Sequence, residues 1–324
     1  MKAVQLSEYG GPEVLKIIQC DRPVPADKEV LIEIKAIGVN YADTARREGH
    51  YVIPTPLPFV PGAEIAGIVT ETGAKVTKIK AGSPVAVLIE SGGYADYATA
   101  HESALIPLPE GMDFQKAAAL PLQGLSAYHI LKTMGRLEKG ETVLIHAAAG
   151  GVGSLAVQLA KLFGAGKVIA TASSAEKLAL AKKLGADYTI NYTEEHWEAE
   201  VQDITEGKGV DVALEMAGGE IFRKTLKCLA PFGRLVIYGV ASGKQEKFYP
   251  SSLMGKNQSV IGFFLPQIMR NQALLQESLQ ELIGYVMDGK LELTLGGEYP
   301  LVEAADVHSI LQGRQTMGKL ILKP

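Results

Sequence analysis

The run Gly151-Val152-Gly153-Ser154-Leu155-Ala156 has the spacing most able to do chemistry in this chain. It reads G-x-G-x-x-A. The apolar, strand-like Thr142–His146 precedes it, and the helical pattern of Val152–Phe163 follows. That order of strand, glycine turn and helix is what a dinucleotide fingerprint requires. Glycine lets the chain turn sharply, and a missing Cβ lets a diphosphate approach the backbone. A small residue at Ala156 lets the helix pack close to its sheet, and the helix N-terminus offers free N–H groups to phosphate oxygens. A tight strand–helix turn that binds nothing is the alternative reading of the same residues.

The next strand indicates which dinucleotide. NAD-binding chains place Asp or Glu about twenty residues on, to hold the ribose 2′-hydroxyl. Here that position falls on Ser173-Ser174, with Lys177 one helical turn later and no carboxylate at the strand end. Hydroxyls and an ammonium suit a 2′-phosphate that an Asp would repel, so NADPH is favoured over NADH. Lys177 alone would read as a solvated helix lysine.

Several elements must position these residues. The first third is β-rich, with strand candidates at Lys2–Leu6, Val14–Ile18, Glu29–Val39, Glu64–Glu71, Val85–Ile89 and Tyr94–Ala100. Between them, Pro54 to Gly62 holds four prolines and is expected to be an extended loop. From about residue 121 the texture changes. Strands at Thr142–His146, Lys167–Ala172, Asp187–Asn191, Val210–Met216, Gly233–Tyr238 and Ser259–Phe263 alternate with helical segments. Such alternation implies crossover units and a parallel sheet. The tail after Gln267 is small for a core of its own. It is expected to fold back on the first region, giving one domain of residues 1–123 plus 267–324 and an inserted domain of 124–266.

Composition narrows the function classes. The 324 residues are 47% hydrophobic and 21% charged, as in ordinary globular proteins, and the formal net charge is −4. That balance gives no general attraction for nucleic acid or anionic lipid. Two cysteines, Cys20 and Cys228, are too few for a disulfide framework or a four-thiolate zinc site. The first residues are too polar for a signal peptide, and Val143–Ala160 is too interrupted for a membrane span, so a cytosolic location is expected.

With these residues in place, the chain resembles the zinc-independent quinone oxidoreductase (zeta-crystallin-like) branch of the medium-chain dehydrogenase/reductase superfamily. Gly140–Lys161 carries the resemblance most strongly, through Ala148-Ala149-Gly150-Gly151-Val152-Gly153. Gly38-Val39-Asn40-Tyr41-Ala42-Asp43, Pro61–Gly67, Gly124–Tyr128 and Gly318-Lys319 add to it. It implies a Rossmann, doubly wound parallel sheet inserted into a GroES-like, β-rich catalytic domain. It also implies NADPH-dependent hydride transfer to a quinone. Zinc-dependent relatives carry Cys where this chain has Asn40, and Gly-His-Glu where it has Gly62-Ala63-Glu64. A catalytic zinc needs three protein ligands, usually N or S, so a metal-free reaction is expected and alcohol oxidation is not.

The resemblance implies roles for particular residues. Asn40, Asp43 and Tyr51 would line the nicotinamide end: Asn40 as donor to the developing oxyanion or to the carboxamide, Tyr51 as donor of a proton or hydrogen bond, and Asp43 orienting a neighbour. For Asn40 the alternative is a plain N-cap of a helix over Ala42–Glu48. Gly150, Gly151, Val152 and Gly153 would hold the diphosphate. Ser173, Lys177 and Tyr192 would surround the 2′-phosphate, and Tyr238 would lie along the cofactor. Ser126 and Phe264 stand near the nicotinamide, with packing as their competing role. Ala45 replaces a Tyr that such reductases often carry, which alters the acceptor pocket. His146, His129, His50 and Glu64 read as structural. The apolar segment Ser259–Phe264 ends the sheet as an edge and is expected to pair with a second copy in a homodimer. The alternatives are a reductase of enals, enones or enoyl thioesters, and a non-catalytic NADPH-binding structural or regulatory protein.

Overall fold

The computed structural model describes all 324 residues, Met1–Pro324. The chain opens with β1 (Lys2–Gln5), β2 (Lys16–Gln19) and β3 (Glu29–Gly38), followed by α1 (Tyr41–Arg47). Next come β4 (Glu64–Thr72), β5 (Pro84–Leu88), β6 (Tyr97–His101), β7 (Leu105–Pro107) and the short α2 (Phe114–Ala117). α3 (Pro121–His129) runs into a π-helical turn at Ile130–Met134. The alternating part is β8 (Thr142–Ile145), α4 (Gly151–Leu162), β9 (Lys167–Ala172), α5 (Ala175–Lys183), β10 (Tyr188–Asn191) and α6 (Trp197–Ile204). It continues through β11 (Val210–Glu215), α7 (Gly219–Cys228), β12 (Leu229–Ile237) and β13 (Ser259–Gly262). α8 (Leu265–Met269), α9 (Gln272–Met287), β14 (Leu295–Pro300), α10 (Ala304–Gln312) and β15 (Lys319–Lys323) complete the chain.

Two compact units result: Met1–Leu122 with Thr294–Pro324, and Gln123–Leu293. The first holds the sheet β14-β15-β3-β4-β5-β7, with β6 paired to β3, and the separate hairpin β1-β2. Its core is aliphatic: Val30, Ile32, Ile34, Ile65, Val85 and Val87 are buried with Leu301, Val307 and Leu320. β14 and β15, joined through α10, bring the C-terminus into this sheet, and Ile321 and Leu322 pair antiparallel with Gly38 and Ile37.

The second unit holds a wholly parallel sheet in the order β10-β9-β8-β11-β12-β13, the 3-2-1-4-5-6 order of a Rossmann sheet. Leu144, Ile169, Ile190, Ala213 and Leu235 from its strands are buried with Trp197 and Val201 of α6 and Phe222 of α7. The order reverses between β8 and β11, and the crevice at their carboxyl ends is where such sheets bind ligands.

The structure departs from the expected boundary at one place. Residues 267–293 belong to the second unit, not to the first. α9 is held there by polar contacts: Ser278 Oγ lies 3.1 Å from His129 Nε2, and Glu281 accepts from Tyr128 Oη at 2.6 Å and from Lys132 Nζ at 2.9 Å. Glu292 continues the attachment, its N–H donating to Gln158 Oε1 at 2.8 Å.

Candidate functional site

The glycine turn leaves β8 and enters α4 with Gly150 as N-cap, in an extended conformation and with no side-chain cap. The first intrahelical bond runs from the Ser154 N–H to the Gly150 carbonyl at 2.8 Å. The N–H groups that open this helix therefore receive no acceptor from a capping side chain, and they stand at the carboxyl end of β8. That is a ready anion site. Gly153 is required for a second reason. A Cβ there would lie 2.8 Å from the carbonyl carbon of Ala147 and 2.8 Å from Ala148 Cα, so any side chain would force α4 away from the turn. Val152, between the two glycines, is half-buried.

His146 is buried between Thr171 Oγ1 at 2.8 Å and Thr225 Oγ1 at 2.7 Å. Burial pushes its pKa down to about 3, so it is a neutral core histidine. At the neighbouring strand ends, Ser173 follows β9, Lys177 lies in the first turn of α5, and Tyr192 follows β10. The Tyr192 N–H donates to the Ala172 carbonyl at 3.1 Å, which brings the ends of β9 and β10 together. Ser174 caps α5 by accepting from the Lys177 N–H at 3.4 Å. The acid in that first turn is the exposed Glu176; the strand end itself carries none. Ser173, Lys177 and Tyr192, the residues expected around a 2′-phosphate, thus lie at two adjacent strand ends.

Tyr238 follows β12, its N–H donating to the Glu215 carbonyl at 3.0 Å, and burial raises its phenol pKa. Ser126 is buried in α3, and Phe264 is the N-cap of α8. Sequence reasoning missed Glu215. At the end of β11 its Oε1 accepts from the N–H groups of Ala217 at 2.6 Å and Gly218 at 2.8 Å. It thereby holds a turn in which Gly218 and Gly219 have φ of +75° and +55°.

In the first unit, the sequence-predicted Asn40 and Asp43 lie together in one buried polar network. Asn40 is the N-cap of α1, and its N–H donates to Asp43 Oδ2 at 2.9 Å. Arg46 and Arg47 in the last turn complement the helix dipole, and Gly49, with φ of +72°, ends the helix. The amide of Asn40 is engaged on both sides. Nδ2 donates to the Gly38 carbonyl at 3.1 Å and to Glu64 Oε2 at 3.3 Å, while Oδ1 accepts from Lys319 Nζ at 2.6 Å. The expected donation from Asn40 to an oxyanion therefore has no N–H left to make it. The N-cap reading describes its position.

Asp43 is buried, accepting also from the Gly62 N–H at 3.3 Å and from Tyr94 Oη at 3.4 Å. Burial pushes its pKa up to about 6, against the opposing pull of the Asn40 and Gly62 N–H groups and of Lys319. Tyr94 Oη in turn lies 3.0 Å from His308 Nε2, and Arg47 donates to His308 Nδ1 at 3.2 Å. Arg47 offers only protons, so Nδ1 is the acceptor and Nε2 carries the hydrogen. His308 is neutral, with its pKa lowered by burial and then by Arg47 to about 3. Tyr51 is half-buried with its ring 4.3 Å beneath the Arg46 guanidinium, and burial raises its phenol pKa. It therefore stays protonated at neutral pH and can donate a hydrogen bond.

The residues present do not fit a catalytic zinc. No group of three or more His, Cys, Asp or Glu side chains is placed to hold a metal ion. Positions 40 and 63 are Asn and Ala, and the carboxylate of Glu64 is already paired with Lys319 at 2.5 Å.

Comparison with known proteins gives consistent matches. Residues 151–281 match the family described as zinc-binding dehydrogenase, and residues 26–110 match the alcohol dehydrogenase GroES-like domain. The quinone oxidoreductase of Pseudomonas aeruginosa is 37% identical, across 100% of this chain and 99% of that protein. The crystal structure of Escherichia coli quinone oxidoreductase complexed with NADPH superposes with a TM-score of 0.95 at 35% identity, covering 100% of both chains. The Thermus thermophilus quinone oxidoreductase, also described with NADPH, superposes with a TM-score of 0.87 at 35% identity, again over 100% of both chains.

Proposed function

Because the chain belongs to the zinc-independent quinone oxidoreductase branch of the medium-chain dehydrogenase/reductase superfamily, we propose that it is an enzyme that reduces a quinone with NADPH. Bound NADPH supplies the hydride, and one proton completes the hydroquinone. The observation that carries this reading is the uncapped N-terminus of α4 at the point where the strand order of the sheet reverses.

The chain's own groups divide the work. The N–H groups of Gly151, Val152 and Gly153 face the diphosphate, with Gly150 turning the chain into them. Ser173 and Lys177 would hold the 2′-phosphate, Tyr192 would offer its ring to the adenine, and Tyr238 would lie along the cofactor. Ser126 and Phe264 would stand near the nicotinamide. Tyr51 takes the donor role toward the acceptor oxygen, since its phenol keeps its proton at neutral pH. Asn40 and Asp43 act by fixing the start of α1. No step passes through a metal ion, because hydride transfer to a quinone needs no Lewis acid to acidify an alcohol.

β13 pairs only with β12, leaving the outer edge of the sheet without a partner in the chain. A second copy pairing along Ser259–Phe264 would extend the sheet, so the enzyme is read as a homodimer. The free thiols of Cys20 and Cys228 fit a reducing compartment such as the cytosol. No helix is long and apolar enough to cross a membrane.

A panel of quinones, enals, enones and enoyl thioesters, each mixed with NADPH and the protein, tests the reading. Loss of the reduced-nicotinamide absorbance is expected with quinones above all. Faster turnover of an activated alkene would reassign the acceptor, and turnover of nothing would leave a binding protein.

A further inference from the structure

Lys319 is only 1% exposed, and its ammonium meets two oxygens from two other strand ends. Nζ lies 2.6 Å from Asn40 Oδ1, just after β3, and 2.5 Å from Glu64 Oε2, at the start of β4. Glu64 is 0% exposed and its other oxygen accepts from the Leu122 N–H at 2.6 Å. Space for this group is kept by Gly38: a Cβ there would stand 2.6 Å from both Glu64 Oε2 and Lys319 Cε. An isolated buried ammonium or carboxylate is strongly disfavoured, so each ion is present only because the other is.

We propose that Lys319 is a resident cation. Its ammonium occupies a cation-binding position defined by the side-chain oxygens of residues 40 and 64, so that the Glu64 carboxylate is neutralised from within the chain and takes no metal ion. Both oxygens accept hydrogen bonds from the one ammonium, which is thereby their shared cationic partner. The ammonium also fixes the amide of Asn40. Having donors only, it can face Oδ1 but never the NH2 group, and Asn40 is the N-cap of α1. This inference rests on the geometry of the first unit; it deepens the metal-free reading of the reaction but stands apart from the identity of the acceptor.

The test replaces the cation and asks whether the position still wants one. Asn40→Asp with Lys319→Met leaves two carboxylates facing the vacated point, and Mn2+ is the probe, read by electron paramagnetic resonance and equilibrium dialysis. The double variant is expected to bind one Mn2+ at least ~10-fold more tightly than either the wild type or Asn40→Asp with Lys319 intact. Equal, weak binding by all three folded proteins would overturn the proposal. If the double variant does not fold, Lys319→Ala is melted with and without n-butylammonium. A rise in Tm with n-butylammonium, absent with n-butanol, is expected; no difference between ion and alcohol overturns the proposal. Neither readout uses quinone turnover, so failure here and failure of the reductase reading are separate results.

Discussion

Ser173 stands where an acid would select NADH, and this position gives the sharpest residue-level prediction. On the proposed placement of Ser173, Ser173→Asp would set a carboxylate against the 2′-phosphate and offer an acceptor to a ribose hydroxyl. The ratio of NADPH to NADH affinity, measured by fluorescence titration, is expected to fall at least ~10-fold. An unchanged ratio would remove Ser173 from the site. The buried pair Asp43 and His308 gives a second prediction, with opposite signs. The pKa of Asp43 is raised to about 6, so the stability it contributes is present in acid and lost as pH rises toward 6. That of His308 is lowered to about 3, so its contribution is present above 6.5 and lost as pH falls. Urea melts at pH 4.5 and 7 should show Asp43→Asn costing relatively more in acid and His308→Gln relatively less; the same direction for both would contradict the assignment. The glycines and the missing acid were legible because they sit close together in sequence, in the β8 turn and at the end of β9, within one strand–helix–strand unit. The partners Lys319 and His308 were not, because they lie 255 residues from Glu64 and 214 from Tyr94 along the chain.

At the scale of elements, α4 depends on its close approach to the β8 turn. Gly153→Val puts a branched side chain where even a Cβ meets the backbone of residues 147 and 148. NADPH affinity, followed by the same titration, is expected to fall below detection, and the melting temperature should fall too because the helix must shift. A variant that still binds NADPH normally would mean that the phosphates sit elsewhere. Periodicity revealed the parallel strands and most helices because apolar runs and β-branched residues mark them locally. β14 escaped notice: Leu295-Gly296-Gly297-Glu298-Tyr299-Pro300 has two glycines and a proline, and pairing with β15 alone makes it a strand. The assignment of α9 also escaped, because what fastens it, Ser278 and Glu281 against His129, Tyr128 and Lys132, joins positions about 150 residues apart.

At the scale of the whole molecule, two units of similar size share the chain, and the C-terminal strand belongs to the first of them. Sequence texture located the insertion but not its end, since nothing local separates a helix that packs on one unit from a helix that packs on the other. The open edge of β13 predicts that sedimentation at micromolar concentration gives twice the chain mass, and that Ile261→Arg gives the single mass. A wild-type monomer would refute the pairing. The central claim is that hydride passes from NADPH to a quinone with no ion assisting. It is tested most directly by following NADPH oxidation with a quinone after exhaustive chelation, using NADPH with either hydrogen or deuterium at nicotinamide C4. Undiminished turnover after chelation, slowed by deuterium, is the predicted result; loss of turnover on chelation with recovery on added zinc, or no oxidation at all, would contradict it.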